Sequence, residues 1–303
     1  MPRPDRPRPS DGGAAGEVLR AVPTGEGEPA VTPWSDPRPR RPDPECRECR
    51  DCRGLALDLG SARTRVWISG QRSILDVPTA SSPGDSPVGP VRRGRLVDVA
   101  GAARMLRRTL GDRVPPLDRP LVVVTVPVLS GPPHRQRVRT ALDVLRPRAV
   151  VPVTAARAVA LAADADLSRP LLVVDLGAQL TEVVLLVKGT VFDARRAESG
   201  LTDLSTARDP GELTDAVVTM IASMFRQARG PLCADALARG VLVAGGGALR
   251  PELISRLAGG LRGPVRTVPA PHTAAIRGAA MILHAAHTHP STRADRRTAP
   301  RSA

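Results

Sequence analysis

A chain of 303 residues, 42% of them hydrophobic, is long enough to bury one large core or two modest ones. Aromatics make up only 1% and tyrosine is absent, which leaves Val, Leu and Ala to pack the core and excludes the aromatic interleaving that stacks nucleic-acid bases. The net charge of +14 rests almost wholly on arginine, with Lys188 the single lysine; beside abundant Ala, Pro and Gly this reads as the codon bias of a GC-rich genome, and specific nucleic-acid binding is not expected from it.

Residues 1–53 are rich in Pro, Arg, Gly and Asp and lack periodicity, as in a disordered tail. Ten arginines there meet ten acidic residues, so the positive excess belongs to the folded part. The N-terminus has no apolar signal region, and no run approaches the ~20 apolar residues of a spanning helix; a cytoplasmic protein is expected. Late in the tail, Cys46, Cys49 and Cys52 form C-x-x-C-x-x-C, a spacing that can hold zinc or part of an iron–sulfur cluster. A fourth ligand is needed and Cys233 lies far off, so three free thiols are the plainer reading.

From residue 54 the pattern alternates strand and helix. GLALDLG, TRVWISG and SILDV read as a three-strand meander, followed by a helix over VAGAARMLRRTLGD. LVVVTVP is a buried strand, PHRQRVRTALDVL a helix and RAVVPV a strand. TAARAVALAADA is a helix so rich in Ala that it must lie close to a neighbour. The order then repeats. LLVVDLG, TEVVLLV and TVFDA form a second meander, and GELTDAVVTMIASMFRQA is a long helix. GVLVAGGG is a strand, PELISRLAGGL a helix, PVRTVPA a strand and HTAAIRGAAMILHAA the closing helix. Residues 286–303 read as a second tail. The meanders superpose residue for residue: Asp58 on Asp175, Gly60 on Gly177, Thr64 on Thr181 and Val66 on Val183. One chain built from two similar halves, 54–169 and 170–285, follows.

A glycine turn between two strands lets backbone N–H groups face a phosphate with no Cβ in the way. Asp58 and Asp175, ending buried strands across a cleft, are placed to hold hydrated Mg²⁺. Gly245, Gly246 and Gly247, with Ala248 after them, lie between a strand and a helix, where a nucleotide can approach backbone. The plainer reading is that the glycines only turn the chain and the aspartates only cap it.

In this order LDLGSARTRVW, VVDLGAQLTEVVLL, VLVAGGGALRPEL and APHTAAIRGAAMIL resemble the two phosphate loops, the adenosine loop and the last helix of the MreB/Mbl family of bacterial actins, rod-shape-determining proteins of the actin and Hsp70 superfamily. The resemblance implies an actin-like (ribonuclease H-like) duplicated α/β core. It also implies an ATP·Mg²⁺ cleft lined by Asp58, Gly60, Ser61, Ala62 and Arg63, by Asp175, Gly177, Ala178 and Gln179, and by Gly245 to Ala248. Implied partners are cell-shape or cell-wall assembly proteins and full-length MreB or Mbl homologues, with peripheral membrane contact compatible.

Three departures qualify this. Ala178, Gln179 and Leu180 stand where the family's second loop is glycine-rich. No carboxylate occurs near Thr154 to Ala156, where the family's catalytic glutamate falls. Only PTASSPGDSPVGPVRRG and LTDLSTARDP stand in place of the two small subdomains. The expectation is a shortened actin-type scaffold with weak or lost ATP binding and hydrolysis. The rivals are a working actin-type ATPase or small-molecule kinase of the superfamily, and a DNA-associated segregation protein.

Overall fold

The computed structural model describes residues 54–288 except 72, 81–88, 112, 115–118, 205–208 and 227–229. The Cys46/Cys49/Cys52 cluster, the N-terminal tail and the chain from 289 onward lie outside the described residues.

In the first half, β1 (Gly54–Leu59), β2 (Arg63–Ile68) and β3 (Ile74–Pro78) form the antiparallel meander. A short hairpin, β4 (Val91–Arg92) and β5 (Arg95–Leu96), precedes α1 (Val99–Leu110). Then come β6 (Leu121–Val126), α2 (Pro132–Leu142), β7 (Ala149–Thr154) and α3 (Ala155–Ala162). In the second half, β8 (Leu171–Leu176), β9 (Thr181–Val187) and β10 (Thr190–Ala197) form the matching meander. They are followed by α4 (Leu201–Leu204), α5 (Pro210–Phe225), α6 (Gly230–Arg239), β11 (Val241–Ala244), α7 (Pro251–Leu261), β12 (Val265–Thr267) and α8 (Ala274–Thr288). The sheets run β3-β2-β1-β6-β7 and β10-β9-β8-β11-β12, the same order twice.

Strand alternation assigns the faces. Leu55, Leu57, Val122 and Val124 point to one side of the first sheet and meet Met105, Leu106 and Leu110 of α1 and Val138 and Leu142 of α2. Ala56 and Val123 point to the other side, where α8 brings Ile276, Ala279 and Leu283. The second sheet repeats this. Leu172, Val174 and Leu176 meet α5, α6 and α7, while Leu171 and Val173 meet Val159 and Ala160 of α3. The covering helices are thus exchanged: α3 belongs to the first half and packs on the second sheet, and α8 does the reverse. They cross so closely that a Cβ on Gly278 would lie 1.8 Å from the Ala158 carbonyl oxygen. That crossing explains the Ala-rich composition of α3 and joins the halves behind the cleft.

Three elements differ from the sequence expectation. GPLCADALAR forms α6, and Cys233 is buried there as a small apolar core residue. Part of the expected loop after Gly200 forms α4, and part of the expected loop before Arg95 forms the β4–β5 hairpin. The last helix also runs on to Thr288, past the expected start of a tail at 286.

Candidate functional site

The C-terminal ends of β1 and β8 open onto one cleft of about 270 Å³, just under the ~300–1,000 Å³ of typical small-molecule sites. Both Asp-x-Gly turns line it. Gly60 N–H donates to the Arg63 carbonyl at 3.1 Å and Gly177 N–H to the Leu180 carbonyl at 3.0 Å. A Cβ at either glycine would come within 2.7 Å or 2.6 Å of those oxygens, so the turns themselves demand glycine here.

Three carboxylates and one guanidinium form the floor. Asp58 accepts a hydrogen bond from the Thr125 hydroxyl at 2.6 Å, and Arg65 stands 3.8 Å away. Burial raises the Asp58 pKa above the usual carboxylate value, against the opposing effects of Thr125 and Arg65. Asp175 is pushed up to about 6, first by burial and then by the charge of Asp58. Glu182, opposite Asp175 in the β8–β9 ladder, is pushed up to about 7 by burial and by Asp175. The Val128 N–H, on the loop after β6, donates to Glu182 at 2.9 Å, so this side chain joins the two halves at the back of the cleft.

A divalent cation would relieve the excess of buried negative charge. Among the described residues no three His, Cys, Asp or Glu side chains converge into a direct metal cage. Asp58 and Asp175, both lining the cleft, are the carboxylates that a cation held through water and ligand phosphates, as Mg²⁺ is held, would face.

The third loop is divided. Gly245 has φ +85°, and a Cβ there would meet Asp175 Oδ1 and the Leu176 carbonyl at 2.4 Å. Gly247 packs on Leu176, and with Ala248 it lies behind the cleft rather than in it. Gly246 is the member with room toward the cleft, its nearest neighbour a Leu201 methyl at 3.3 Å. Ser61 and Ala62 line the cleft. Arg63 also lines it, and its guanidinium is engaged by the Asp76 side chain at 2.8 Å and the Asp76 carbonyl at 2.9 Å. Ala155 lines the cleft within Thr154 to Ala156, the span where the family resemblance placed a catalytic glutamate, and Val159 lines it one turn further on.

The mouth is bridged by protein. At the tip of the β4–β5 hairpin Arg93 and Gly94 both have positive φ, the geometry of a two-residue turn. Arg93 N–H donates to Gln179 Oε1 at 3.1 Å, and its guanidinium reaches Asp203 at 3.1 Å and the Glu198 carbonyl. Arg95 pairs with the Glu198 carboxylate at 2.7 Å. Leu180 sits so near Gly94 that a Cβ there would lie 2.5 Å from its methyl. Ala178 is held from below, its carbonyl accepting from the Thr202 N–H and hydroxyl.

Glu182, Arg65, Thr125 and the hairpin are not among the cleft residues that the resemblance implied, although Arg65 and Glu182 lie within the two phosphate-loop motifs. Glu182 had a signal, being the only charge within the apolar strand TEVVLLV. Arg65 had one too, because the overlay of the halves puts it on Glu182. The hairpin had none, since neither RRGR nor AQL predicts the other as partner.

Two matched α/β halves with exchanged helices around a single cleft define an actin-like fold. Among solved structures, MreB5 of Spiroplasma citri bound to AMPPNP matches with TM-score 0.67 at 14% identity, over 81% of this chain and 98% of that one. A MamK double helical filament matches with TM-score 0.63 at 19% identity, over 78% and 99%. The ethanolamine utilization protein EutJ from Carboxydothermus hydrogenoformans matches with TM-score 0.56 at 16% identity, over 76% and 89%. No protein-family model and no curated protein matches the sequence. At these identities the likeness is one of fold. No described helix is long and apolar enough to cross a membrane.

Proposed function

We propose that this chain is an MreB-like cytoskeletal scaffold of the cytoplasm, acting in cell-shape or cell-wall assembly beside its own copies or longer MreB-type homologues, with weak ATP·Mg²⁺ binding and little hydrolysis. What carries the reading is the hairpin bridge. Gln179 and Leu180, where a phosphate loop would meet its ligand, instead contact Arg93 and Gly94 of the other half. The nucleotide-bound state of one fold neighbour, MreB5 with AMPPNP, supports a nucleotide ancestry for the cleft. If nucleotide binds, Asp58 and Asp175 hold the hydrated cation, and Ser61 and Gly246 offer the open backbone. Mg²⁺ would neutralise phosphate charge there. Ala155 supplies no group to orient water.

The rival reading is a working ATPase, and one observation favours it. Glu182 is a cleft carboxylate pushed up to about 7, where a general base is useful. Its hydrogen bond to Val128 commits it to joining the halves. Steady-state phosphate release separates the readings. The scaffold reading predicts release at background, because a positioned base contributes about 10²–10⁴-fold. Sustained release lost in both Asp175→Ala and Glu182→Gln would establish the ATPase instead.

A further inference from the structure

We propose that the outer helical layer of the first half, α1 and α2, is a docking surface for the phosphodiester backbone of nucleic acid, bound without base readout. The second half provides an internal control. From Asp98 to Arg148, the stretch carrying α1 and α2, ten arginines face four acidic residues; from Asp209 to Arg262, carrying α5, α6 and α7, six arginines face five. Both layers come from one gene and cover equivalent faces of equivalent sheets. Codon bias acts on both equally, so it does not account for the difference.

The side chains are presented outward. Arg104, Arg107 and Arg108 on α1 and Arg135, Arg137 and Arg139 on α2 are all exposed, and the two helices pack side by side. Among the described residues Arg107, Arg135 and Arg139 pair with no carboxylate, whereas Arg239 pairs with Asp235 and Arg256 with Asp209 in the other layer. Like charges are also set close together along each helix. Arg104 with Arg108 and Arg135 with Arg139 are like charges four residues apart. Arg135 lies in the first turn of α2, where the helix dipole disfavours a cation, and neither α1 nor α2 has an acidic residue in its first turn; Asp98 caps α1, and Arg107, Arg108 and Arg139 lie in last turns, where the dipole favours them. The corresponding turns of α5 and α7 carry Glu212 and Glu252.

The partner class follows from what the surface lacks. None of the exposed large apolar side chains lies on α1 or α2; Val97 and Leu129 sit in the loops before them. A protein interface would centre on buried apolar or aromatic anchors, and an interfacial membrane helix would expose an apolar face. Here that face is spent on the core through Met105, Leu106 and Leu110. What remains is a cluster of exposed guanidinium groups, whose forks match phosphate; Arg104 also stands 3.9 Å from Asp98, and Arg108 and Arg137 donate to the Ala80 and Leu96 carbonyls at 3.3 Å. Duplex DNA offers one such charge per ~1.7 Å along its axis.

The test is fluorescence anisotropy of a labelled DNA duplex of arbitrary sequence, titrated with the full chain at several salt concentrations. With about six phosphate contacts, affinity should fall about 10³-fold between about 50 and 200 mM salt. The triple variant Arg107→Gln, Arg135→Gln, Arg139→Gln should bind more weakly and lose only about 40-fold over that range. Arg250→Gln, Arg256→Gln, Arg262→Gln should bind as wild type does. Thermal melting by circular dichroism confirms that both variants fold. The proposal is overturned by no duplex binding at the lowest salt, or by a triple variant that binds like wild type. It is also overturned if phosphatidylglycerol vesicles, and not the duplex, capture the chain through these arginines.

Discussion

The two halves share a scaffold and differ where their side chains face the cleft. Asp58 and Asp175 hold equivalent positions, and the residue opposite each across its ladder is Arg65 in the first half and Glu182 in the second. Both turns line the cleft, but the hairpin reaches the first, with Ser61, Ala62 and Arg63, only through the Gly94 N–H at 3.5 Å from the Ser61 hydroxyl, whereas on the second, with Ala178, Gln179 and Leu180, it bonds Gln179 and packs on Leu180. The strand–turn–strand is fixed by backbone demands at Gly60 and Gly177, which both halves keep. Ligand chemistry is set by residues the turn does not constrain, and those have diverged.

The largest effect should come from the shared scaffold. Leu55 and Leu172 are equivalent and almost fully buried, so Leu55→Ala and Leu172→Ala should each cost about 2–5 kcal/mol. Because α3 and α8 are exchanged, both substitutions should lower a single calorimetric transition. Two transitions shifting independently would break the comparison.

Next comes pH. The raised pKa values of Asp175 and Glu182 mean that their contribution to stability is full below their ordinary values of 3.8 and 4.5 and is lost as pH rises through about 6 and 7. Denaturant unfolding should therefore show stability falling between about pH 4 and pH 7 and levelling off above that, with Glu182 responsible for on the order of 3 kcal/mol. Glu182→Gln keeps an acceptor for the Val128 N–H and should flatten that part of the profile. An unchanged profile would mean that Glu182 is hydrated.

The smallest effect is at the hairpin. Arg95 and Glu198 are 59% and 41% exposed, so Arg95→Ala should cost only about 0.2–1 kcal/mol, read as a small shift in Tm that added salt removes. A larger loss would make the bridge a principal tie between the halves.

Much of the fold was legible because repetition amplifies weak signals. LALDLGSARTRVWI and LLVVDLGAQLTEVV each read as an ordinary strand and turn, but their overlay gave the duplication and the facing turns. The glycine-rich third loop was legible only as a unit, since the sequence does not distinguish Gly246, open to the cleft, from Gly247, packed on Leu176. α6 escaped notice because Gly230 and Pro231 look like a loop and its buried face is only Cys233 and Ala236. The bridge from Arg93 and Arg95 to Gln179, Glu198 and Asp203 joins residues about a hundred positions apart with no shared pattern. Long-range polar contacts between short surface segments leave no periodic trace.

The central claim is that protein groups have taken over the contacts that a nucleotide would make in this cleft. Isothermal titration of the full chain with Mg·ATP, beside the Arg93→Ala variant, tests it directly. The account predicts Kd of about 1 mM or weaker for the wild type, with tighter binding once the Arg93 guanidinium no longer ties the hairpin to Asp203 and the Glu198 carbonyl, the Arg93 N–H to Gln179 being kept. Binding near about 1 μM in the wild type, unchanged by Arg93→Ala and lost in Asp175→Ala, would contradict it.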